Sequence, residues 1–63
     1  MIKRLNPLLP VETPLGKGNA LFYLHSEIHG DQYWVVNPLD NSIRLFNSHE
    51  IKLPEMHTAM NNG

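Results

Sequence analysis

Apolar and polar residues alternate along several short stretches of the chain, and turn-forming residues separate these stretches. The strongest β-forming stretch is Tyr33-Trp34-Val35-Val36, in which every residue is aromatic or β-branched. It lies between two groups of turn-forming residues, His29-Gly30-Asp31 before it and Asn37-Pro38-Leu39-Asp40-Asn41 after it. This pattern predicts a central strand over residues 32–36, with a chain reversal on each side.

Further strands are predicted on both sides of the central one. Residues 19–28 form a long candidate strand in which Ala20, Phe22 and Leu24 recur at every second position. Residues 42–46 alternate in the same way and complete a second hairpin. Residues 11–13 begin a first strand, and residues 14–18 contain two glycines that suit a turn.

The two ends of the chain are predicted to differ from the middle. Pro7 and Pro10 each remove a backbone donor and favour an extended preceding residue, so residues 1–9 are predicted to form an extended arm. Asn47-Ser48-His49 favours one tight 3₁₀ turn, followed by a last short strand over residues 50–53. Residues 55–63 are polar and are predicted to be a disordered tail.

Together these elements predict an all-β fold with five short strands. A flat open sheet would leave two edges and one apolar face in water, whereas a strongly bent sheet that curls on itself buries both. We therefore predict a small five-stranded barrel over residues 10–54. The phase of the central strand stays open, because a one-residue slip would place Tyr33 and Val35 inside. The core predicted from the period-two pattern comprises Val11, Ala20, Phe22, Leu24, Trp34, Val36, Ile43, Leu45, Ile51 and Leu53.

The order of these segments resembles the Src-homology-3-like (SH3-like) small barrels. The resemblance covers about residues 10 to 54 and is one of layout: the Val11-Glu12-Thr13-Pro14-Leu15-Gly16-Lys17-Gly18 segment, a long strand, Tyr33-Trp34-Val35-Val36, a hairpin and the Asn47-Ser48-His49 turn. The layout is also similar to that of small phage-encoded proteins. Peptide-binding members carry an acidic loop and two neighbouring tyrosines, which have no match here. The resemblance therefore implies a barrel fold and does not imply proline-rich ligands.

Composition narrows the classes of function. The 63-residue chain is at most one domain, has no cysteine and carries a formal net charge of −1. It lacks the basic excess that phosphate contacts require, so nucleic-acid binding is disfavoured. No apolar stretch approaches the roughly 18 residues of a membrane helix, and prolines interrupt any secretory signal near the start. We expect a cytoplasmic protein that does not bind membranes.

The most suggestive polar cluster is His25, Glu27 and His29, since residues two apart share one face of a strand. Such a set could bind Zn²⁺ or Ni²⁺. Solvated histidines at a strand end are the plainer interpretation, so no metal or other cofactor is predicted. Side chains fill the interior of so small a barrel and leave no room for a substrate. No catalytic residues are predicted, and the protein is not expected to be an enzyme.

Exposed aromatic residues are the stronger indication of function. With Trp34 inside, Tyr23, Tyr33 and Phe46 would lie on outer faces, where aromatic rings commonly anchor a partner. We predict a non-enzymatic protein-interaction module, a small phage or bacterial accessory or inhibitor protein that binds another protein or forms a homo-oligomer. The predicted partner-binding residues are Tyr23, Tyr33, Phe46, Arg44, Leu8 and Leu9. The alternatives are a single-stranded nucleic-acid-binding barrel, which would use Tyr23, Tyr33, Arg44 and Lys52, and a metal-binding sensor.

Overall fold

The computed structural model describes residues 1–53, which form an all-β domain with one antiparallel sheet. The predicted all-β class is thus confirmed. Each strand pairs with the next one along the chain, so the order across the sheet is β1-β2-β3-β4. The elements are β1 (Ile2–Thr13), β2 (Gly16–Ser26), β3 (Gly30–Val36), β4 (Ile43–Asn47) and a 3₁₀ turn (Ser48–Glu50).

Side chains of the turns hold both predicted hairpins. Between β2 and β3 the Ser26 hydroxyl accepts two backbone N–H groups, and Gly30 has a φ of +74°, a region that glycine enters without steric cost. Between β3 and β4, a side-chain oxygen of Asn37 and one of Asp40 each accept a backbone N–H. These local bonds compete with strand pairing. They end β3 at Val36, as predicted, and β2 at Ser26, before the predicted end at residue 28.

The segment after β4 returns to the beginning of the chain. The predicted 3₁₀ turn is present, and its Glu50 carboxylate accepts the backbone N–H of Asn47 at 2.9 Å. Beyond it, the backbone of Lys52 exchanges two hydrogen bonds with that of Glu12, of 2.7 and 2.9 Å. Within the described residues the predicted fifth strand is reduced to this single bridge. The sheet therefore has four strands and is open, where five strands and a closed barrel were predicted.

The first strand is longer than predicted and includes the residues assigned to the arm. Ile2, Lys3 and Arg4 pair with β2, and the pairing resumes at Leu9 after an irregularity. Residues 1–9 are extended, but they belong to the sheet and do not stand apart from it. The predicted tail, 55–63, lies outside the described residues.

One extra residue in β2 sets which side chains face inwards. Ala20 pairs with Val35, and Phe22 pairs with Trp34, the residue adjacent to Val35 on β3. Leu21 is therefore the additional residue of a β-bulge, where two residues of one strand oppose one of its partner. Because alternation restarts at the bulge, Ala20 and Phe22 lie on opposite faces of the sheet, although the sequence places them two residues apart.

The core lies on the face that carries Ala20, which we call the inner face. Its buried apolar residues are Val11, Ala20, Val35 and Phe46, with Leu5, Leu9, Tyr33 and Ile51 packed partly against them. The core prediction is confirmed for Val11 and Ala20, and the slipped phase of the central strand is the one observed. The prediction is wrong for five residues: Phe22, Trp34, Ile43, Leu45 and Leu53 are exposed. The bulge moves Phe22 to the other face, the slipped phase of β3 places Trp34 there with its β4 neighbours, and the last segment is only a bridge. Leu24 and Val36 are half-buried.

The inner face is tightest at Gly18. A Cβ atom added there would lie 2.6 Å from Val35 Cγ1 and 2.9 Å from the Val36 carbonyl oxygen. We predict that Gly18→Ala lowers the free energy of unfolding by about 1–3 kcal/mol, because the β2–β3 backbone must separate to admit the methyl group. Thermal unfolding measures the change, and Lys17→Ala, at the exposed neighbouring position, serves as the control. Equal melting temperatures for the two variants would contradict this account of the packing.

Candidate functional site

A row of large apolar side chains crosses the face opposite the core. Phe22, Trp34 and Leu45 are directly paired across β2, β3 and β4, so they share one face. We call these three residues the outer row. Phe22 and Trp34 are each 37% exposed, Leu45 is 41% exposed, and the neighbouring Ile43 is 53% exposed. The sheet thus presents its largest aromatic side chain to water.

The surroundings of the outer row are almost free of charge. Strand register and alternation place eleven residues around the outer row, and we call these the outer face; only Arg4, paired with Phe22 on β1, carries a formal charge. Further along the same side of the sheet lie Glu12 and Lys17, which have opposite charges and pair directly with each other on β1 and β2. The polar residues Gln32 and Asn47 are hydrogen-bonded to each other: the Gln32 amide donates to Asn47 Oδ1 at 2.9 Å. The members of the outer face are Ile2, Arg4, Asn19, Phe22, Leu24, Gln32, Trp34, Val36, Ile43, Leu45 and Asn47.

The outer face has the composition of a protein interface. The exposed parts of its large side chains amount to roughly 400 Å² of apolar surface, if a whole large side chain presents about 150–250 Å². Contiguous patches of about 300–600 Å² are the largest that monomers usually show, and these patches are often functional. Interface centres are poor in charge and rich in aromatic residues. The outer face has both properties.

A second, polar cluster lies at one end of the inner face. One oxygen of the Asp31 carboxylate accepts a hydrogen bond from the Tyr23 hydroxyl and one from His25 Nδ1, both at 2.8 Å. The Tyr23 and Tyr33 rings lie 5.4 Å apart and are tilted by 52°, a favourable aromatic contact. The cluster is exposed and borders a shallow depression that Lys3 and Leu5 also line.

These contacts shift two titrations in opposite directions. The hydrogen bond from His25, followed by that from Tyr23, holds the pKa of Asp31 below its ordinary value of 3.8. The same bond to Asp31 raises the pKa of the Tyr23 hydroxyl above its ordinary value of 10.0, because ionisation would remove the donated proton. The cluster is thus a hydrogen-bonded surface network in which each partner is stabilised in the form that makes the bond.

The residues predicted to bind a partner do not form one surface. Phe46 is buried in the core, and Tyr23, Tyr33 and Leu9 are half-buried. Leu8 and Arg44 are exposed but lie on different strands and are not brought together. An exposed aromatic surface was predicted from the sequence; the aromatic residues that the structure exposes on the outer face are Phe22 and Trp34.

The outer row was missed because the period-two pattern assigned Phe22, Trp34 and Leu45 to the predicted core. A usable signal was nevertheless present in β3, where Tyr33, Trp34, Val35 and Val36 leave no polar position on either face. A half-buried strand alternates between apolar and polar residues. A strand that is apolar on both faces therefore indicates that each face is covered by other residues or by a partner, or is left exposed.

The structure gives the alternative sites little geometric basis. His25 contacts Asp31, and within residues 1–53 no three histidine, aspartate or glutamate side chains come together as a metal site. The metal sensor expected at His25, Glu27 and His29 therefore lacks its ligand group there. For single-stranded nucleic acid, the Asp31 carboxylate bonds directly to one of the two tyrosines on which a base would stack, and it would repel the phosphates beside it.

Comparison with models of protein families, with curated proteins and with solved structures finds no match for this chain. None of the helical structure within residues 1–53 has the length and apolar character needed to cross a membrane. The outer row and the polar cluster are therefore the two features that indicate a function, and the outer row is the larger apolar surface.

The hydrogen bonds of the polar cluster predict how the Asp31 carboxyl titrates. Tyr23→Phe removes one of the two hydrogen bonds to Asp31, so we expect the pKa of the Asp31 carboxyl to rise towards 3.8, as followed by NMR titration of the side-chain carboxyls. Since the folded-state pKa is depressed, the stabilisation from this network is present above the unfolded pKa and lost as pH falls through the folded one.

Asp40 is the internal control for that titration. Its pKa is also lowered, chiefly by the backbone N–H of Ser42, and it has no contact with Tyr23. The Asp40 titration should therefore be the same in both proteins. A Tyr23→Phe variant in which Asp31 titrates as in the unsubstituted protein, or in which both carboxyls shift equally, would contradict the network.

Proposed function

We propose that this protein is a non-enzymatic interaction module that binds another protein through the outer face. The observation that supports the proposal is the outer row itself: Phe22, Trp34 and Leu45, paired across three strands and exposed, in a surface with one charge. Soluble domains rarely leave such rows uncovered, because each exposed side chain forgoes the free energy of its own burial.

The outer row is well placed to bind with little loss of entropy. Trp34 stands on a central strand between two directly paired neighbours, Phe22 and Leu45, which restrict its side chain before any partner arrives. Binding then orders few additional torsions, and ordering side chains is one of the main costs of association. If a partner buried a further 200 Å² of apolar surface, the gain would be roughly 5 kcal/mol before those costs.

The proposal includes the fold relationship indicated by the sequence. The backbone bonds between Glu12 and Lys52 bring the end of the described chain against β1, after a 3₁₀ turn that follows β4. This arrangement supports an SH3-like small barrel in which the last segment is a very short fifth strand. A phage or bacterial accessory or inhibitor role, which rests on the resemblance of layout, belongs to the same proposal.

A pair of identical substitutions tests whether the outer face binds a partner. We predict that Leu45→Lys reduces capture of partner proteins from a lysate of the source cells by at least tenfold, because binding would bury an ammonium group at the centre of the interface. Leu39→Lys is the matched control: Leu39 is 93% exposed and lies in the β3–β4 turn, away from the outer row. The readout is quantitative mass spectrometry of proteins retained by each immobilised variant.

Both variants should fold, since neither residue belongs to the core. Their far-ultraviolet circular dichroism should match that of the unsubstituted protein. If Leu45→Lys and Leu39→Lys retained the same proteins in the same amounts, the outer face would have no part in binding. If retention depended instead on salt and on added single-stranded oligonucleotide, the nucleic-acid alternative would replace the proposal.

A further inference from the structure

We infer that the protein bound by the outer face is a second copy of this chain, in a two-fold symmetric dimer whose sheets pack face to face. This inference rests on the proposed function and names its partner. Three observations lead to it: the small size of the core, the area of the outer face and the distribution of charge on that face.

The first observation is that one copy buries very little. Four apolar residues form the core of residues 1–53, and no large side chain among them is fully buried. Domains of about 60 residues are already marginal, and very small ones usually depend on disulfides, metals or association. The chain has no cysteine, and its described residues contain no metal-ligand group. A second copy is always present where the first is made, so it can supply a stabilisation that folding itself needs.

The second observation concerns area. Two outer faces in contact would bury roughly 800 Å² from their large apolar side chains, and their polar margins would bring the total to about 1,000 Å², the lower bound for a specific interface. The area that the two outer faces would bury is therefore the area expected of a weak, reversible dimer. Stacked sheets pack about 10 Å apart with aligned strands, which suits a row that crosses several strands.

The third observation is that two copies of the outer face can pack together without repulsion between like charges. In a two-fold interface the same patch serves both subunits, so every charge faces a symmetry-related surface. Arg4 lies on β1, next to Phe22, and Leu45 lies at the opposite end of the outer row, on β4. A two-fold axis parallel to the strands, between β2 and β3, places each β1 opposite the other copy's β4. The two Arg4 side chains then lie at least about 14 Å apart, three strand spacings, which exceeds the screening length of about 10 Å at 0.1 M salt.

The test measures mass and the environment of Trp34 together, on the full chain. Trp34 is the single tryptophan of the sequence, so its fluorescence reports the outer face alone. We expect sedimentation equilibrium to give twice the 7.2 kDa chain mass at high concentration. Dilution from about 1 mM to about 1 μM, a range typical of small interfaces, should halve the mass and shift the emission to longer wavelength. The melting temperature should fall over the same range.

Leu45→Lys should remain a monomer at every concentration, with long-wavelength Trp34 emission, while Leu39→Lys should behave as the unsubstituted protein. Ile43→Lys provides a second disruption of the outer face at a more exposed position, for use if Leu45→Lys fails to fold. Its mass should also stay that of one chain. A dimer that persists in both outer-face variants would contradict the inference, because another surface, such as the edge of β4, would then hold the copies together.

Two further outcomes would overturn it. A monomeric protein with long-wavelength emission at all concentrations would show that no copy covers the outer face. Loss of lysate partners in Leu45→Lys but not in Leu39→Lys would then leave the proposed function standing with a different protein as partner. A monomer whose Trp34 emission stays at short wavelength would show that the chain covers its own outer face. If in addition the two variants captured the same proteins, both proposals would fail.

Discussion

The extra residue at Leu21 determines which side chains of the central strands meet water. Upstream of it, β2 directs Ala20 towards Val35 and the core; downstream, Phe22 pairs with Trp34 on the other side of the sheet. In a strand of strict alternation these two residues would share a face. Because of this insertion, Phe22 aligns with Trp34 and Leu45 on one face, while Ala20 stays with Val35 on the other.

The bulge leaves a sheet with apolar side chains on both faces, and within residues 1–53 the buried apolar core lies on one of them. The inner face is covered by Leu5 and Leu9 of the first strand and by Ile51, which pack against the core. Gly18 allows β3 to approach closely enough for Val35 to fill the space between them. On the outer face, by contrast, the three residues of the outer row keep 37–41% of their surface exposed within residues 1–53. The exposure of the outer face therefore follows from the same strand geometry that forms the core. A surface suited to binding arises without any further structural element.

Much of the fold could be predicted from local chemistry. Asn, Asp, Ser and Gly at the reversals placed both hairpins, and Asn47-Ser48-His49 indicated the 3₁₀ turn, because these residues bond to nearby backbone wherever they occur. The choice of inner face could not be predicted in the same way. Tyr33 to Val36 is apolar on both sides, so alternation does not favour either face as the inner one. The residues around Leu21 carry no sequence signal that predicts a bulge. The candidate site inherited that uncertainty: an aromatic surface was expected, but on the tyrosine side.

The two backbone bonds between Glu12 and Lys52 also affect the order in which the chain can fold. They join segments from nearly opposite ends of the described residues, whereas each hairpin pairs neighbouring strands. Closing so long a loop carries an entropic cost that is recovered only once the hairpins have brought the ends together. The bridge is therefore the last contact to form and the first to open. Its opening would release Ile51 from the core while both hairpins stay paired, which gives this domain a partially unfolded state below its global unfolding.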